Sequence, residues 1–260
     1  MALVRWECED RVGTVWLDDA RRRNALSSEL VEETVGALGS LADRKARVVI
    51  LRGPAGSKVW SAGHDIRELP RLGREPLGWS DSLRVLIRAV QENPCPVIAR
   101  IEGSVWGGAC ELAMACDLAI ATPEVTFAIT PARLGIPYNL TGLLTLMNAL
   151  PLPIAKEMLF TARPIDAARA LALGVLNRVV PAEEIDAVVL DLARAIAANS
   201  PRSIAVIKEE LRLLASARSI SPETFERMQG LRRTVYDSPD YQEGQRAFFE
   251  KRPPEFLDPP

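Results

Sequence analysis

Histidine and cysteine are scarce in this chain, and that narrows its chemistry first. It has a single histidine, His64, and four cysteines, Cys8, Cys95, Cys110 and Cys116, with no pair at C-x-x-C spacing. Such a set cannot assemble a familiar zinc site; it reads as reduced core thiols of a cytoplasmic protein, with no metal expected. A basic stripe is also missing: beyond Arg21, Arg22 and Arg23 there is no sustained Lys/Arg run, and the formal net charge is -2. A nucleic-acid surface needs a basic stripe, so no nucleic acid is expected as a partner. No apolar run approaches the roughly 20 residues of a membrane span, and MALVRWECEDRVG reaches charged residues too early for a signal peptide. There is no fixed-period repeat and no low-complexity linker. Only the closing KRPPEFLDPP is rich in proline, and it is expected to be extended at the surface.

What remains is an ordinary globular composition, 48% hydrophobic and 25% charged over 260 residues, enough for one large core with a modest appendage. The most informative stretch is EGSVWGGACELAMACD, Glu102 to Asp117. It follows an apolar run, Pro96 to Ile101, that reads as a buried strand, and it closes in a small-residue helix from about Gly108 to Cys116. Gly103, Gly107 and Gly108 let the chain turn sharply between them. A helix start free of bulky side chains presents unpaired N–H groups and its positive dipole end, a ready site for an oxyanion. Two readings of these glycines stand side by side, close packing of helix on sheet or a ligand site, and Glu111 favours the second. A carboxylate among Ala, Cys, Leu and Met must find a partner, shift its pKa upward or lie in the first turn, where the dipole favours it.

Taken in order, Leu3–Cys8 and Val12–Leu17 read as a hairpin, and DDARRRNALS as a polar loop ending in an N-cap at Ser27 or Ser28. A helix follows with Val31, Val35, Leu38 and Ala42 on one face, then a continuous apolar strand, Val48 to Leu51. Residues Gly53 to Pro70 read as a long loop with a helical turn from Asp65, and Gly73, Pro76 and Gly78 continue an irregular region. Leu83, Leu86, Ile87 and Val90 mark the next helix, and Leu118–Ala121 a further strand. Alternation of helices and apolar strands argues an α/β architecture with parallel strands. After a structured loop, Thr130 to Gly142, the pattern is mainly helical through Tyr236, broken by one expected strand, Val175–Val180. The apolar stripe Ile204, Ile207, Leu211 and Leu214 either caps the core or packs on another subunit.

With these loops read, the chain resembles the crotonase (enoyl-CoA hydratase/isomerase) family from the first hairpin to the C-terminal helices. SAGHDI, Ser61 to Ile66, and GSVWGGACELA, Gly103 to Ala113, are similar to the family's two oxyanion-hole segments. GSKVWSAGHDIRELP, TPARLGIPYNL, IAVIKEELRLL and YDSPDYQEGQRAFFEKR resemble a decarboxylating branch in which His follows the first glycine. The resemblance implies a crotonase-like spiral of ββα turns over residues 1–190 holding an acyl-CoA site. It also implies a helical C-terminal region, 191–260, used in trimer packing, with a homotrimer or homohexamer as the assembly. It implies an acyl thioester whose carbonyl oxygen accepts from two backbone N–H groups, here those of His64 and Gly108.

One departure from the family bears on the reaction. Hydratases of the family use two glutamates; the first matches Glu111, but the second position, four residues beyond Phe127, is Pro131, which can neither hold nor release a proton. Decarboxylation of a malonyl-type thioester, methylmalonyl-CoA or a close homologue, asks only that the carboxylate stand perpendicular to the thioester plane and that the enolate be stabilised. No metal or organic cofactor is expected for it. Tyr138 has two readings, a buried aromatic with its hydroxyl satisfied by backbone, or the group that orients the carboxylate, and the resemblance favours the latter. By resemblance Ala62, Gly63, His64, Asp65 and Ile66 hold the coenzyme A part, with Gly108 also binding substrate, Thr130 near the acyl or carboxylate end and Lys251 toward the phosphates. The His64 side chain is expected to help position the carboxylate or Tyr138. Arg22 and Arg23 are added as phosphate partners from their basic loop alone. An isomerase or hydratase using Glu111 alone, and a non-catalytic acyl-CoA-binding protein, are the alternatives.

Overall fold

A computed structural model describes residues 2–69, 78–217 and 220–256. The chain opens with an antiparallel hairpin of β1 (Val4–Glu9) and β2 (Val12–Leu17), and α1 (Ser28–Asp43) follows, capped by the Ser27 hydroxyl on Leu30 N–H. Three ββα turns come next. The first is β3 (Val48–Arg52), β4 (Val59–Ser61) and α2 (Ser82–Gln91); the second is β5 (Val97–Ile101), β6 (Ser104–Trp106) and α3 (Gly108–Ala115). The third is β7 (Leu118–Ala121), β8 (Thr126–Ala128) and α4 (Leu140–Ala149). Then come α5 (Leu152–Thr161), β9 (Ile165–Asp166), α6 (Ala167–Ala172), β10 (Arg178–Val179) and α7 (Ile185–Ala197). The chain ends in α8 (Pro201–Ser216), α9 (Pro222–Tyr236) and α10 (Pro239–Glu250).

Each turn gives one strand to each of two sheets. The larger runs β1-β2-β3-β5-β7-β10, parallel beyond the first hairpin, and the smaller β4-β6-β8-β9, with only β9 antiparallel. The apolar run of β3 works on both faces, because successive side chains point opposite ways. Val49 and Leu51 join the main core under α1, α2 and α3, while Val48 and Ile50 pack with Ile185, Val189 and Ala193 of α7. The expected domain boundary at residue 190 therefore falls inside a helix buried on the core sheet.

Four sequence expectations are corrected. The stretch Glu102 to Asp117 does not pass straight from strand to helix, because Gly103 at φ +80 turns the chain against the Lys58 backbone and Ser104–Trp106 forms β6. The loop Gly53 to Pro70 likewise contains β4, a three-residue strand too short to show alternation. The expected strand Val175–Val180 pairs only over Arg178–Val179, because the N–H groups of Val175 and Leu176 close the end of α6 on Ala170. Beyond Tyr236 the chain forms α10, which buries Glu243 and Gln245 beside Tyr241 and so carries no clean apolar stripe. Pro70, Gly73 and Pro76 of the expected irregular region, and 257–260 of the proline-rich end, lie outside the described residues.

Candidate active site

The two glycine-bearing turns meet. A Cβ on Gly63 would lie 2.9 Å from Gly108 N and 2.3 Å from Trp106 O, and one on Gly108 would lie 3.5 Å from His64 N. Gly63 also sits at φ +82, so only glycine brings the backbones this close without strain. Gly108 opens α3, and its N–H is among those a helix leaves unpaired. Among the described residues no protein acceptor takes the N–H of either His64 or Gly108. Two unclaimed amides side by side, one at a helix N-terminus, suit a carbonyl oxygen that gains negative charge.

The loop bearing the first amide is clamped on both sides. Asn24 donates to Trp60 O, Ser61 donates to Asn24 O, and Ala62 N–H donates to Arg23 O, so residues 23–26 run beside 60–64 like an extra strand. Asp65 is buried and caps the following turn, accepting from the Arg67 backbone at 3.1 Å and its side chain at 2.8 Å; Ile66 begins that turn. The His64 ring is held at both nitrogens, Nδ1 at 3.1 Å from the Asp65 carbonyl and Nε2 at 3.0 Å from Asp81 Oδ2. Both partners are acceptors, so both nitrogens donate in the imidazolium form. Burial pushes the His64 pKa down, but the hydrogen bond and charge of Asp81 outweigh it and leave the value above the usual 6.5. The ring expected to aid the carboxylate or Tyr138 here has both nitrogens on Asp65 and Asp81. Arg22 is held by Asp19 and Glu29, whereas exposed Arg23 lies next to Ala62.

Glu111 sits in the first turn of α3 with 0% exposure. One oxygen, Oε1, accepts from Arg84 of α2, which also reaches Thr141 Oγ1 on α4. Burial raises the Glu111 pKa, and Arg84, Tyr138 and Asn139 offset only part of that rise. Gly142 makes room for the group: a Cβ there would meet the Tyr138 ring at 2.5 Å, Glu111 Oε2 at 2.7 Å and Asn139 Nδ2 at 3.0 Å. Glu111 Oε2, the Tyr138 hydroxyl and Asn139 Nδ2 are buried together without a well-formed hydrogen bond, although the hydroxyl and the amide stand near enough to Glu111 to stabilise its charge, and Arg84 Nε is likewise buried without one. Burial and the neighbouring Glu111 charge hold the Tyr138 hydroxyl well above its ordinary range, so it remains a protonated donor. The packed-aromatic reading, with that hydroxyl bonded to backbone, is not what the fold contains. Pro131 opens the short turn to Leu134 that leads to Tyr138, and the Thr130 hydroxyl stands 3.7 Å from a Cβ built on Gly107.

The sequence profile of the enoyl-CoA hydratase/isomerase family matches residues 7–259. The chain belongs to the enoyl-CoA hydratase/isomerase family. Among its relatives is methylmalonyl-CoA decarboxylase of Escherichia coli K12, 50% identical over 95% of each chain. A putative enoyl-CoA hydratase of Thermus thermophilus is 36% identical over 94% of this chain and 97% of its own. A solved structure of methylmalonyl-CoA decarboxylase in complex with 2-nitronate-propionyl-CoA superposes with a TM-score of 0.97, at 49% identity over 98% of each chain. The α/β fold of ββα turns with C-terminal helices is thus that of the enoyl-CoA hydratase/isomerase family.

Two cavities flank the Glu111 cluster of this family member. One of 370 Å³ is lined by Pro131, Ile136, Tyr138, Leu143 and Leu231. The other, 720 Å³, lies behind Arg84 and Asn139 between α2, α4, α8 and α9. Neither touches His64 or Gly108. Tyr138 lines the smaller cavity and not the larger. Lys251 stands exposed at the C-terminal end of α10, apart from the buried cluster. Sequence reasoning missed Arg84, Asn139 and Asp81. Only Arg84 left a signal: it lies three residues before Ile87 on the apolar side of α2, and Glu111 needed a cation.

Proposed function

We propose that this chain decarboxylates methylmalonyl-CoA, or a close malonyl-CoA homologue, to propionyl-CoA and carbon dioxide. The observation that carries the reading is the fate of the two family carboxylates: one position is Pro131, and the other, Glu111, is sealed from solvent with an oxygen on Arg84. Neither serves an acid/base pair, so hydration loses its machinery while decarboxylation does not need it. The identity shared with methylmalonyl-CoA decarboxylase supports the same choice.

The thioester carbonyl accepts from the His64 and Gly108 amides, which form an oxyanion hole. The Tyr138 hydroxyl donates to the substrate carboxylate and sets it perpendicular to the thioester plane. The C–C bond to the carboxylate then breaks, its electron pair enters the carbonyl, carbon dioxide leaves, and the enolate takes one proton at C2. Losing one oxyanion donor from such a site typically costs roughly 3–4 kcal/mol of barrier. Because the electron sink is the thioester itself, the reaction proceeds without metal or organic cofactor. Ala62 to Ile66 and Thr130 line the thioester, and Lys251 and Arg23 meet the coenzyme A phosphates. Four free cysteines fit a cytoplasmic location, and the exposed apolar face of α8 fits a trimer or a hexamer.

Purified protein incubated with methylmalonyl-CoA, with acyl-CoA products followed by mass spectrometry, tests this. Propionyl-CoA is the expected product, with no hydration of crotonyl-CoA; failure to form propionyl-CoA, or rapid hydration instead, overturns the assignment.

A further inference from the structure

Asp81 lies outside every motif that carries the functional reading, yet it contacts two parts of the site and reaches a third through Leu83. Its Oδ2 meets His64 Nε2 at 3.0 Å, while its Oδ1 accepts the Leu83 N–H at 2.9 Å and caps α2. Leu83 in turn covers Gly108: a Cβ there would come within 2.6 Å of the Leu83 side chain. The contact is protected, with the His64 and Asp81 side chains 11% and 18% exposed. One carboxylate therefore ties the residue that supplies the first amide to the helix whose first turn walls the second.

We propose that Asp81 is a positioning residue, gripping the His64 imidazole from the N-cap of α2 so that the His64 and Gly108 amides stay aligned on one oxygen. The inference rests on the oxyanion role of those amides. The imidazole is faced by Asp81 from α2, by the Asp65 carbonyl from its own loop, and by the charge of Glu68 from the turn after it. Asp81 is faced by His64, the Leu83 N–H and the charge of Arg84. The grip is strongest with imidazolium against carboxylate, so alignment weakens as alkaline pH removes the imidazole proton.

His64 is the only histidine in the chain, so its ring signals can be followed by NMR without assignment ambiguity. Asp81→Asn keeps an oxygen to cap Leu83 and removes the charge. In this variant the His64 titration midpoint is expected to fall by about 1 pH unit or more. Turnover of methylmalonyl-CoA is expected to drop about 10- to 100-fold in kcat with KM changed less than about threefold. The alkaline limb of kcat should move down together with the NMR midpoint, and Asp81→Glu should restore part of both. A His64 midpoint indifferent to Asp81→Asn overturns the proposal, as does a kcat profile that keeps its wild-type pH limb while the midpoint moves. Absence of turnover in the wild type defeats the decarboxylase reading instead, and the NMR titration still reports on the grip, so the two failures are distinguishable.

Discussion

A carboxylate with no solvent access and a guanidinium on one oxygen has little freedom to shuttle protons, and Glu111 is in that position. Its replacement should therefore be felt in stability before it is felt in chemistry. Removing one partner of a buried ion pair strands the other, at a cost of about 3 kcal/mol or more, so urea unfolding of Glu111→Gln is expected to show a loss of that order. The His64–Asp81 pair has a pH signature. The His64 pKa lies above 6.5 in the fold and that of Asp81 below 3.8, where its pairing with His64 outweighs burial. The His64 contribution is thus fully present below its unfolded value and lost as pH rises through the raised folded value; the Asp81 contribution is lost as pH falls through its depressed one. Thermal melts across pH should show the gap between wild type and Asp81→Asn widest between these limits and closing on the alkaline side. A gap constant from pH 5 to about 9 would contradict the pairing. The two glycine turns that bear His64 and Gly108 were legible in the sequence because each is a short contiguous motif, and the fold brings them together. Arg84 and Asp81 were not, because each meets its partner from another element, 27 and 17 positions away.

At the scale of elements, the site depends on two places where backbones touch. Gly63 lies under Trp106 O, and Gly63→Ala adds a Cβ 2.3 Å from that oxygen at an unfavourable φ of +82. Pushing the loop from α3 separates the two amides, so kcat should fall about 100-fold or more in steady-state assays, out of proportion to any change in melting. Gly244 of α10 packs on the turn that leads to Tyr138, where a Cβ would lie 2.2 Å from Leu134 O. Gly244→Ala should cost about 1–3 kcal/mol and also lower turnover by moving Tyr138; wild-type turnover in a destabilised variant would limit α10 to a stabilising role. The long strands β3 and β5 were visible as apolar runs, whereas β4, β6 and β8, three residues each, have no period to read. It is these short strands that bring the two glycine turns together.

At the scale of the molecule, α8 has no buried residue, and Ile207, Leu211 and Leu214 are 51%, 63% and 74% exposed. It is held to the core by Lys208, which donates to Val90 O, Cys95 O and Asp117, while Leu211 lines the larger cavity and Ile207 and Leu214 stay exposed. Sedimentation should accordingly find wild type as a trimer or hexamer and Leu211→Glu with Leu214→Glu as a monomer; an unchanged assembly would move the interface elsewhere. The proposed reaction divides the labour, with Tyr138 aligning the leaving carboxylate and Glu111 only holding the fold. Its most direct test is kcat for methylmalonyl-CoA in the two folded variants side by side. Tyr138→Phe is expected to lose about 10- to 100-fold with binding of propionyl-CoA retained, the value of a hydrogen bond to a charged group. Glu111→Gln should stay within about 10-fold of wild type, far less than loss of a working acid or base. The reverse order, with Glu111→Gln inactive and Tyr138→Phe active, would contradict it.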